Sequence, residues 1–125
     1  MKYIVNARIE STMLGYESHG VMTFFLYLKR ENVHQGFGGY GLDMYDQEQK
    51  KRVSHKIFGY TVSRILEVVG VDSWEKLNGK YIRMELDSNS WGARVIGIGN
   101  ILKDIWFYPE EEYKCLIEAE EDEIA

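Results

Sequence analysis

The stretch Val21–Lys29, VMTFFLYLK, decides the fold that this sequence predicts. It is rich in β-branched and aromatic residues, which is typical of a β-strand. Before it, Tyr3–Ile9 alternates apolar and polar residues with a period of two and predicts another strand. After the short polar turn Arg30–Asn32, His34–Leu42 predicts a third strand, weakened by four glycines. Three strands with short connections indicate an antiparallel sheet.

The rest of the chain adds one helix and more strands. Residues 54–69 carry apolar side chains at helical spacing, and Gly70 follows where a C-terminal glycine cap belongs. Tyr81–Asp87 and Val95–Gly99 predict two further strands, whereas Asp43–Val53 predicts a loop. We therefore expect an α+β fold: an antiparallel sheet of four to five strands, one main helix packed on it and a short C-terminal helix.

Composition excludes several classes of protein. The chain has 125 residues, of which 45% are hydrophobic and 28% charged, so it is neither wholly disordered nor extreme in charge. Cys115 is the single cysteine, which excludes an intramolecular disulfide framework. No apolar run reaches the roughly 20 residues of a membrane helix. The first residues, Met1–Arg8, lack the pattern of a signal peptide, and we predict a cytoplasmic protein.

Acidic residues are concentrated at the C-terminus. Glu110–Ala125 holds eight acids against the single base Lys114, which gives it a formal charge of −7, although the whole chain carries only −5. We predict one domain at residues 1–109 and an acidic tail at residues 110–125. Such a tail is most simply a solvated segment, and the alternative is a docking element that imitates nucleic acid. The chain has no long basic stripe, so we predict no direct binding of duplex nucleic acid.

Glycines and aromatic residues supply the candidate ligand contacts. Gly36–Gly41 formally contains G-x-G-x-x-G, but no parallel βαβ unit surrounds it, so it does not predict a dinucleotide site. It fits either a close approach of two backbones or a pocket lined by bare backbone. Trp106–Tyr108 fits packing, an oligomer interface or stacking on a base. The predicted ligand-binding residues are Phe37, Tyr40 and Trp106 for stacking, Gly38 and Gly39 for backbone approach, and Arg94, Asn100 and Lys103 for polar contacts.

Catalytic and metal-binding motifs are missing from the sequence. The three histidines, His19, His34 and His55, lack metal-ligand spacing, and Cys115 sits in an acidic segment unfavourable to a thiolate. We predict no catalytic residue, no metal and no cofactor. The enzymatic alternative is a magnesium site, whose carboxylates would come from Glu17, Asp43, Asp46 and Asp104.

Four segments resemble a family of small bacteriophage and prophage proteins: Leu14–Thr23, Gln35–Asp43, Val69–Leu77 and Ile98–Phe107. The resemblance covers most of residues 3–109. It points to a phage counter-defence protein similar to the Thoeris anti-defence sponges, which bind a cyclic ADP-ribose-type signal and hide it without cleaving it. The resemblance therefore implies a non-catalytic protein acting in the host cytoplasm on a nucleotide-derived small molecule.

The size of the chain adds one expectation. A 14.6 kDa subunit has little room for a deep pocket, so we predict a homo-oligomer with sites at subunit interfaces. The main alternative function is a protein-binding inhibitor of a host defence nuclease, of the anti-CRISPR type, acting through the acidic tail.

Overall fold

The computed structural model describes residues 2–124, with the side chains of residues 2–121. The elements in chain order are β1 (Tyr3–Tyr16), β2 (Met22–Arg30), β3 (Val33–Gly38), β4 (Asp43–Asp46), β5 (Lys51–Ser54), α1 (Ile57–Val69), a 3₁₀ turn (Trp74–Leu77), β6 (Tyr81–Leu86), β7 (Val95–Asn100), β8 (Trp106–Phe107) and α2 (Pro109–Ile124). The larger of the two sheets has six antiparallel strands in the order β3-β2-β1-β6-β7-β8, and the smaller is the hairpin β4–β5.

One face of the large sheet forms the core. Residues opposite one another in an antiparallel pair point to the same side, and the pairs on this face are apolar. Leu26 of β2 lies opposite Phe37 of β3, and Met84 of β6 lies opposite Ile98 of β7. All four side chains are at most 1% exposed. This cross-strand continuity explains why the alternating apolar residues predicted the strands correctly.

Both helices pack on the core face. Helix α1 buries Ile57, Thr61, Ile65 and Val68 along one stripe. It ends at Gly70, whose φ of 88° is left-handed and whose N–H donates to Leu66 O at 2.8 Å. Helix α2 contributes Tyr113 to the core cluster, and the Tyr113 and Thr61 hydroxyls lie 2.5 Å apart. No helix within residues 2–124 is long and apolar enough to cross a membrane.

The large sheet curls until its outer strands approach each other over the core. The rings of Phe37 on β3 and Phe107 on β8 meet edge to face, with centroids 6.4 Å apart. Nearby, Gln35 Nε2 donates to the carbonyl oxygen of Ala93 at 2.9 Å, which ties β3 to the segment before β7. The curl therefore brings residues about 60 positions apart in sequence into one seam.

The structure confirms the α+β class and extends the predicted elements. The sheet has six strands rather than four to five, because β8 adds two residues to its edge. Helix α2 has 16 residues and is longer than α1, although we expected it to be short. Asp43–Val53, predicted to be a loop, contains most of the hairpin β4–β5. Polar strands of four residues give almost no periodic signal, so the sequence pattern missed this hairpin.

A carboxylate anchors that hairpin to the large sheet. Asp43 is only 7% exposed, and it accepts hydrogen bonds from Arg52 Nη2 at 2.6 Å and Arg52 Nε at 2.9 Å. Its other oxygen accepts from Met22 N at 3.2 Å. The Arg52 guanidinium, followed by the Met22 amide, holds the pKa of Asp43 below its ordinary value despite burial.

We expect this ion pair to shape the acid sensitivity of the fold. Because the pKa of Asp43 is lower in the folded state, its stabilisation is present above the ordinary Asp pKa of about 3.9 and is lost as the pH falls through the folded value. Asp43→Asn should be less stable at pH 7 and should lose less further stability in acid. Urea midpoints measured at a series of pH values, with exposed Asp72→Asn as the control, test this. Parallel curves for Asp43→Asn and the unmodified protein would contradict it.

Two glycines of β3 provide a matched pair. A Cβ at Gly38 would lie 2.2 Å from the carbonyl oxygen of Phe24, and the φ of Gly38 is +133°. A Cβ at Gly36 would meet nothing closer than 4.0 Å. Gly38→Ala should therefore lower the free energy of unfolding by about 3 kcal/mol, and Gly36→Ala should change it by less than about 0.5 kcal/mol. Chemical denaturation followed by circular dichroism measures both, and equal losses would contradict this explanation.

Candidate functional site

The seam between β3, β7 and α2 forms an open cleft of about 270 Å³. We call it the seam cleft. The chain turns at Gly39 and Tyr40 after β3, Arg94 directly precedes β7, and Glu110 belongs to the first turn of α2. The residues that line it are Gly36, Gly38, Gly39, Tyr40, Arg94, Val95 and Glu110. Three of the glycines noted in the sequence therefore share one cleft with the predicted Tyr40 and Arg94.

The glycines of this cleft have a structural explanation of their own. Gly39 has a φ of +83°, and its N–H donates to the carbonyl oxygen of Phe24 at 2.8 Å. Gly38 approaches the same carbonyl too closely for any side chain. The close approach of two backbones, one of the two alternatives left open by the sequence, is therefore present. It also leaves one wall of the cleft as bare main chain.

Arg94 is the charged centre of the seam cleft. Its guanidinium forms an ion pair with Glu110, and both side chains are more than half exposed. The Glu110 carboxylate, followed by the Tyr40 phenol, raises the pKa of Arg94. Burial raises the pKa of Tyr40, and the neighbouring Arg94 offsets part of that increase. The arrangement presents an exposed cation whose ion-pair partner among the described residues is an exposed carboxylate.

A second depression of about 500 Å³ continues from the cleft along α2. It shares Tyr40 and Glu110 with the seam cleft, and it adds Lys114 and the partly exposed Ile117. Tyr40 thus stands between the two depressions, with its ring packed edge to face on Tyr113 at 5.8 Å. A ligand with an anionic part and a flat part could place the first at Arg94 and the second beside Tyr40.

Comparisons with known protein families, with curated proteins and with solved structures found no match to this chain.

Phe37 lies in the core rather than on the wall of the cleft. Its ring is 1% exposed and packs edge to face on Phe24 at 5.7 Å and on Phe107 at 6.4 Å. No face of that ring is open to a base. The contribution of Phe37 is to fix the strand that carries Gly36 and Gly38.

Trp106 lies on the opposite face of the sheet, apart from the seam cleft. Its indole N–H donates to Asp104 Oδ1 at 3.0 Å, and its ring covers Gly99, where a Cβ would lie 2.6 Å from the indole. The Arg83 guanidinium carbon lies 4.8 Å from the ring centroid. A cation and the sheet thus already contact this indole.

Asn100 is the last residue of β7, and Lys103 lies in the turn between β7 and β8. Asn100 Nδ2 donates to Val68 O at 2.8 Å, at the end of α1, and its Oδ1 accepts from the amides of Leu102 and Lys103, each at 2.9 Å. Every polar atom of the Asn100 side chain is therefore used within the fold. The Lys103 side chain is exposed, and its carbonyl accepts from Arg83 Nη2.

The four carboxylates of the magnesium alternative have separate local partners. Glu17 binds the backbone of His19 and Val21, and Asp43 binds Arg52. Asp46 accepts from backbone amides in the β4–β5 turn, and Asp104 accepts from the Trp106 indole. Within the described residues, no group of three or more His, Cys, Asp or Glu side chains is arranged around a common point.

Another cavity, of about 280 Å³, lies between the hairpin β4–β5 and α1. Its walls include Met22 and Phe58, and its main polar groups are already paired. Arg52 is bound to Asp43, while His55 accepts from Ile57 N through Nδ1 and contacts Glu120 through Nε2 at 3.0 Å. The seam cleft offers the stronger site, because its cation is exposed.

Sequence reasoning missed Glu110 and Lys114 as members of the site. Both lie in the acidic segment that we predicted to be a tail, and nothing in its charge run distinguishes residues that face a cleft from residues that face solvent. Their position follows from the docking of Tyr113, which is 8% exposed.

Asn100 and Lys103 allow a direct test of structural against ligand-contact roles. Asn100→Ala should lower the free energy of unfolding by about 2 kcal/mol, because it leaves the carbonyl of Val68 and two turn amides without partners. Lys103→Ala should be neutral within about 0.5 kcal/mol. Urea denaturation of both variants measures this, and a stable Asn100→Ala protein would refute the structural role.

Proposed function

We propose that this protein binds a nucleotide-derived immune signal, of the cyclic-nucleotide or cyclic ADP-ribose type, and sequesters it without cleaving it. The observation that carries the proposal is the Arg94 guanidinium, held by an exposed carboxylate beside the Tyr40 ring at the mouth of a cleft with a glycine wall. In this proposal a ligand phosphate replaces Glu110 as the partner of Arg94. The base or ribose then lies along Tyr40 towards Lys114.

Sequestration also agrees with what the cleft lacks. Tight binding needs complementary contacts with the ground state of the ligand, and it needs no group that stabilises a transition state. Among the described residues that line the seam cleft, there is no histidine or cysteine, and its carboxylate is paired with Arg94. We propose that this sequestration takes place in the cytoplasm of an infected host, as the sequence resemblance to phage counter-defence proteins implies.

A homo-oligomer completes the proposal. Drug-sized ligands occupy pockets of about 300–1,000 Å³ and are mostly enclosed. The seam cleft, at about 270 Å³, is below that range and open to solvent. A second subunit placed over it would cover the exposed side of the ligand, and a closed symmetric pair would supply two such sites.

Native mass spectrometry with defined probes tests the proposal. The protein is incubated with cyclic ADP-ribose, with a cyclic dinucleotide and with filtered extract of defence-activated cells. We expect an oligomer that gains the mass of one intact nucleotide per site and releases it unchanged on heating. Arg94→Ala should weaken binding about ten- to hundredfold by calorimetry, because a charge-assisted contact is lost. Lys56→Ala, which removes an exposed cation outside the cleft, is the control.

Other outcomes distinguish the alternatives. If Arg94→Ala bound the ligand as tightly as the unmodified protein, the ligand would not bind in the seam cleft. If the nucleotide were released in cleaved form, the protein would be a catalyst and not a sequestering protein. Absence of any mass gain would favour the nuclease inhibitor, for which α2 presents exposed acids at Glu111, Glu118 and Glu121. Deleting the tail would not test that inhibitor, since Tyr113 is part of the core. Exchange of those three glutamates for glutamine leaves the core intact and is the appropriate variant.

A further inference from the structure

The outer face of the large sheet, opposite both helices, carries a row of two cations and a tyrosine across three strands. Lys29 of β2 lies opposite Arg8 of β1, and Arg8 lies opposite Tyr81 of β6. Residues paired in this way share one face of an antiparallel sheet. The helices pack on the core face, so this row faces solvent in the described part of the chain. Arg8, Lys29 and Tyr81 are all exposed.

Two arginines near this face differ from the other arginines of the described chain in having no ion-pair or hydrogen-bond partner for their side chains. Arg52, Arg64 and Arg94 form ion pairs, and Arg83 donates to two carbonyl oxygens; the chain has six arginines. Among residues 2–121, the remaining two, Arg8 and Arg30, have no carboxylate within 4.0 Å and no side-chain hydrogen bond.

Both unpartnered arginines line the same open groove of about 520 Å³, together with Lys29 and a single acid, Glu31. Three cations beside one carboxylate produce a local positive potential on a chain whose net charge is −5. An anion bound in the groove would supply the missing partners.

Aromatic rings continue the same surface along β2. Phe25, Tyr27 and Lys29 alternate with buried residues and therefore share its outer face. The rings of Phe25 and Tyr27 are nearly parallel, with an interplanar angle of 13° and centroids 5.9 Å apart. Tyr27 is 44% exposed, and Tyr81, across the row, is 61% exposed. Flat, exposed rings and unpaired cations are the two features with which proteins bind single-stranded nucleic acids.

A neighbouring groove extends the surface to β3. It has a volume of about 410 Å³ and is lined by Tyr27, Ser11, Gly36 and His34, among others. Its acid, Glu10, is paired with His34 at 2.9 Å and therefore does not neutralise the arginines of the first groove. Tyr27 lines this second groove and lies two residues before Lys29, which lines the first.

We propose that this outer surface and the adjoining groove bind single-stranded nucleic acid, with phosphates at Arg8, Lys29 and Arg30 and bases stacked on Tyr27 and Tyr81. The rings favour unstacked bases, which a duplex does not present. A symmetric pairing of two copies through this face would set the same cations against each other, which disfavours a second copy as occupant. The residues proposed to contact nucleic acid do not line the seam cleft, and the proposal does not depend on the function proposed for that cleft.

Fluorescence anisotropy with labelled oligothymidine and oligouridine of about 15 nucleotides tests the proposal. A duplex of the same length and inorganic polyphosphate serve as competitors. We expect both single-stranded oligonucleotides to bind, and we expect the duplex and polyphosphate to compete for the protein only weakly. Replacing Arg8 and Arg30 together by alanine should reduce the slope of log affinity against log salt by about 1.4, as expected for two lost phosphate contacts. Tyr27→Ala should weaken binding about tenfold without changing that slope.

Matched variants separate this surface from the rest of the molecule. Tyr45→Ala removes a tyrosine of similar exposure, 47%, from the hairpin β4–β5, and Lys56→Ala removes an exposed cation next to α1. Both should bind like the unmodified protein, and so should Arg94→Ala, which alters only the seam cleft. Circular dichroism confirms that each variant is folded.

Three results would overturn the proposal. The first is no binding of either oligonucleotide at low salt. The second is either equal competition by duplex or polyphosphate, or unchanged binding by both the double arginine variant and Tyr27→Ala. Either outcome would indicate a general attraction of polyanions. The third is a dimer, seen by light scattering, that Tyr27→Ala dissociates, which would assign the surface to a second copy of the chain.

Discussion

The fold depends on one aromatic cluster at the place where the curled sheet meets itself. Phe37 contacts Phe24, Tyr40 and Phe107, with ring centroids between 5.7 and 6.4 Å apart, and Tyr113 packs on both Tyr40 and Phe107. These rings come from β2, β3, the turn after β3, β8 and α2. Aromatic pairs of this kind combine a large buried area with a preferred geometry. The cluster therefore joins the paired strands β2 and β3 to β8 and α2, with which they share no backbone hydrogen bond among the described residues.

The seam cleft is a direct consequence of that cluster. Because Tyr113 is buried, the first turns of α2 lie against β3 and β7, and Glu110 comes within ion-pair distance of Arg94. Because Phe37 is buried, the following glycines turn over the Phe24 carbonyl and leave main chain exposed. Buried residues that do not line the seam cleft thus determine its shape, and Phe37 is the clearest example.

The two faces of the large sheet have different chemistry. The core face is apolar and covered by α1 and α2, whereas the outer face carries aromatic rings laid against glycines together with cations. On β7, a Cβ at Gly97 or Gly99 would lie within 2.6 Å of the Tyr108 or Trp106 ring. On β2, the Phe25 ring lies 3.2 Å from the Cβ position of Gly39. Glycine in these strands gives flat rings room to rest on the backbone. The glycine content of the sequence therefore reflects both backbone contact and ring packing.

The sequence by itself determined the strand and helix pattern, because alternation and helical spacing are local consequences of burying one face. Val21–Lys29, Ser54–Val69 and Tyr81–Asp87 were located to within a few residues for that reason. Only the tertiary structure decided which candidate residues meet. It brought Tyr40 and Arg94 together and sent Phe37 to the core and Trp106 to the outer face. Contacts between residues 50 or more positions apart depend on sheet order, curl and helix docking, and none of these leaves a periodic mark in the sequence.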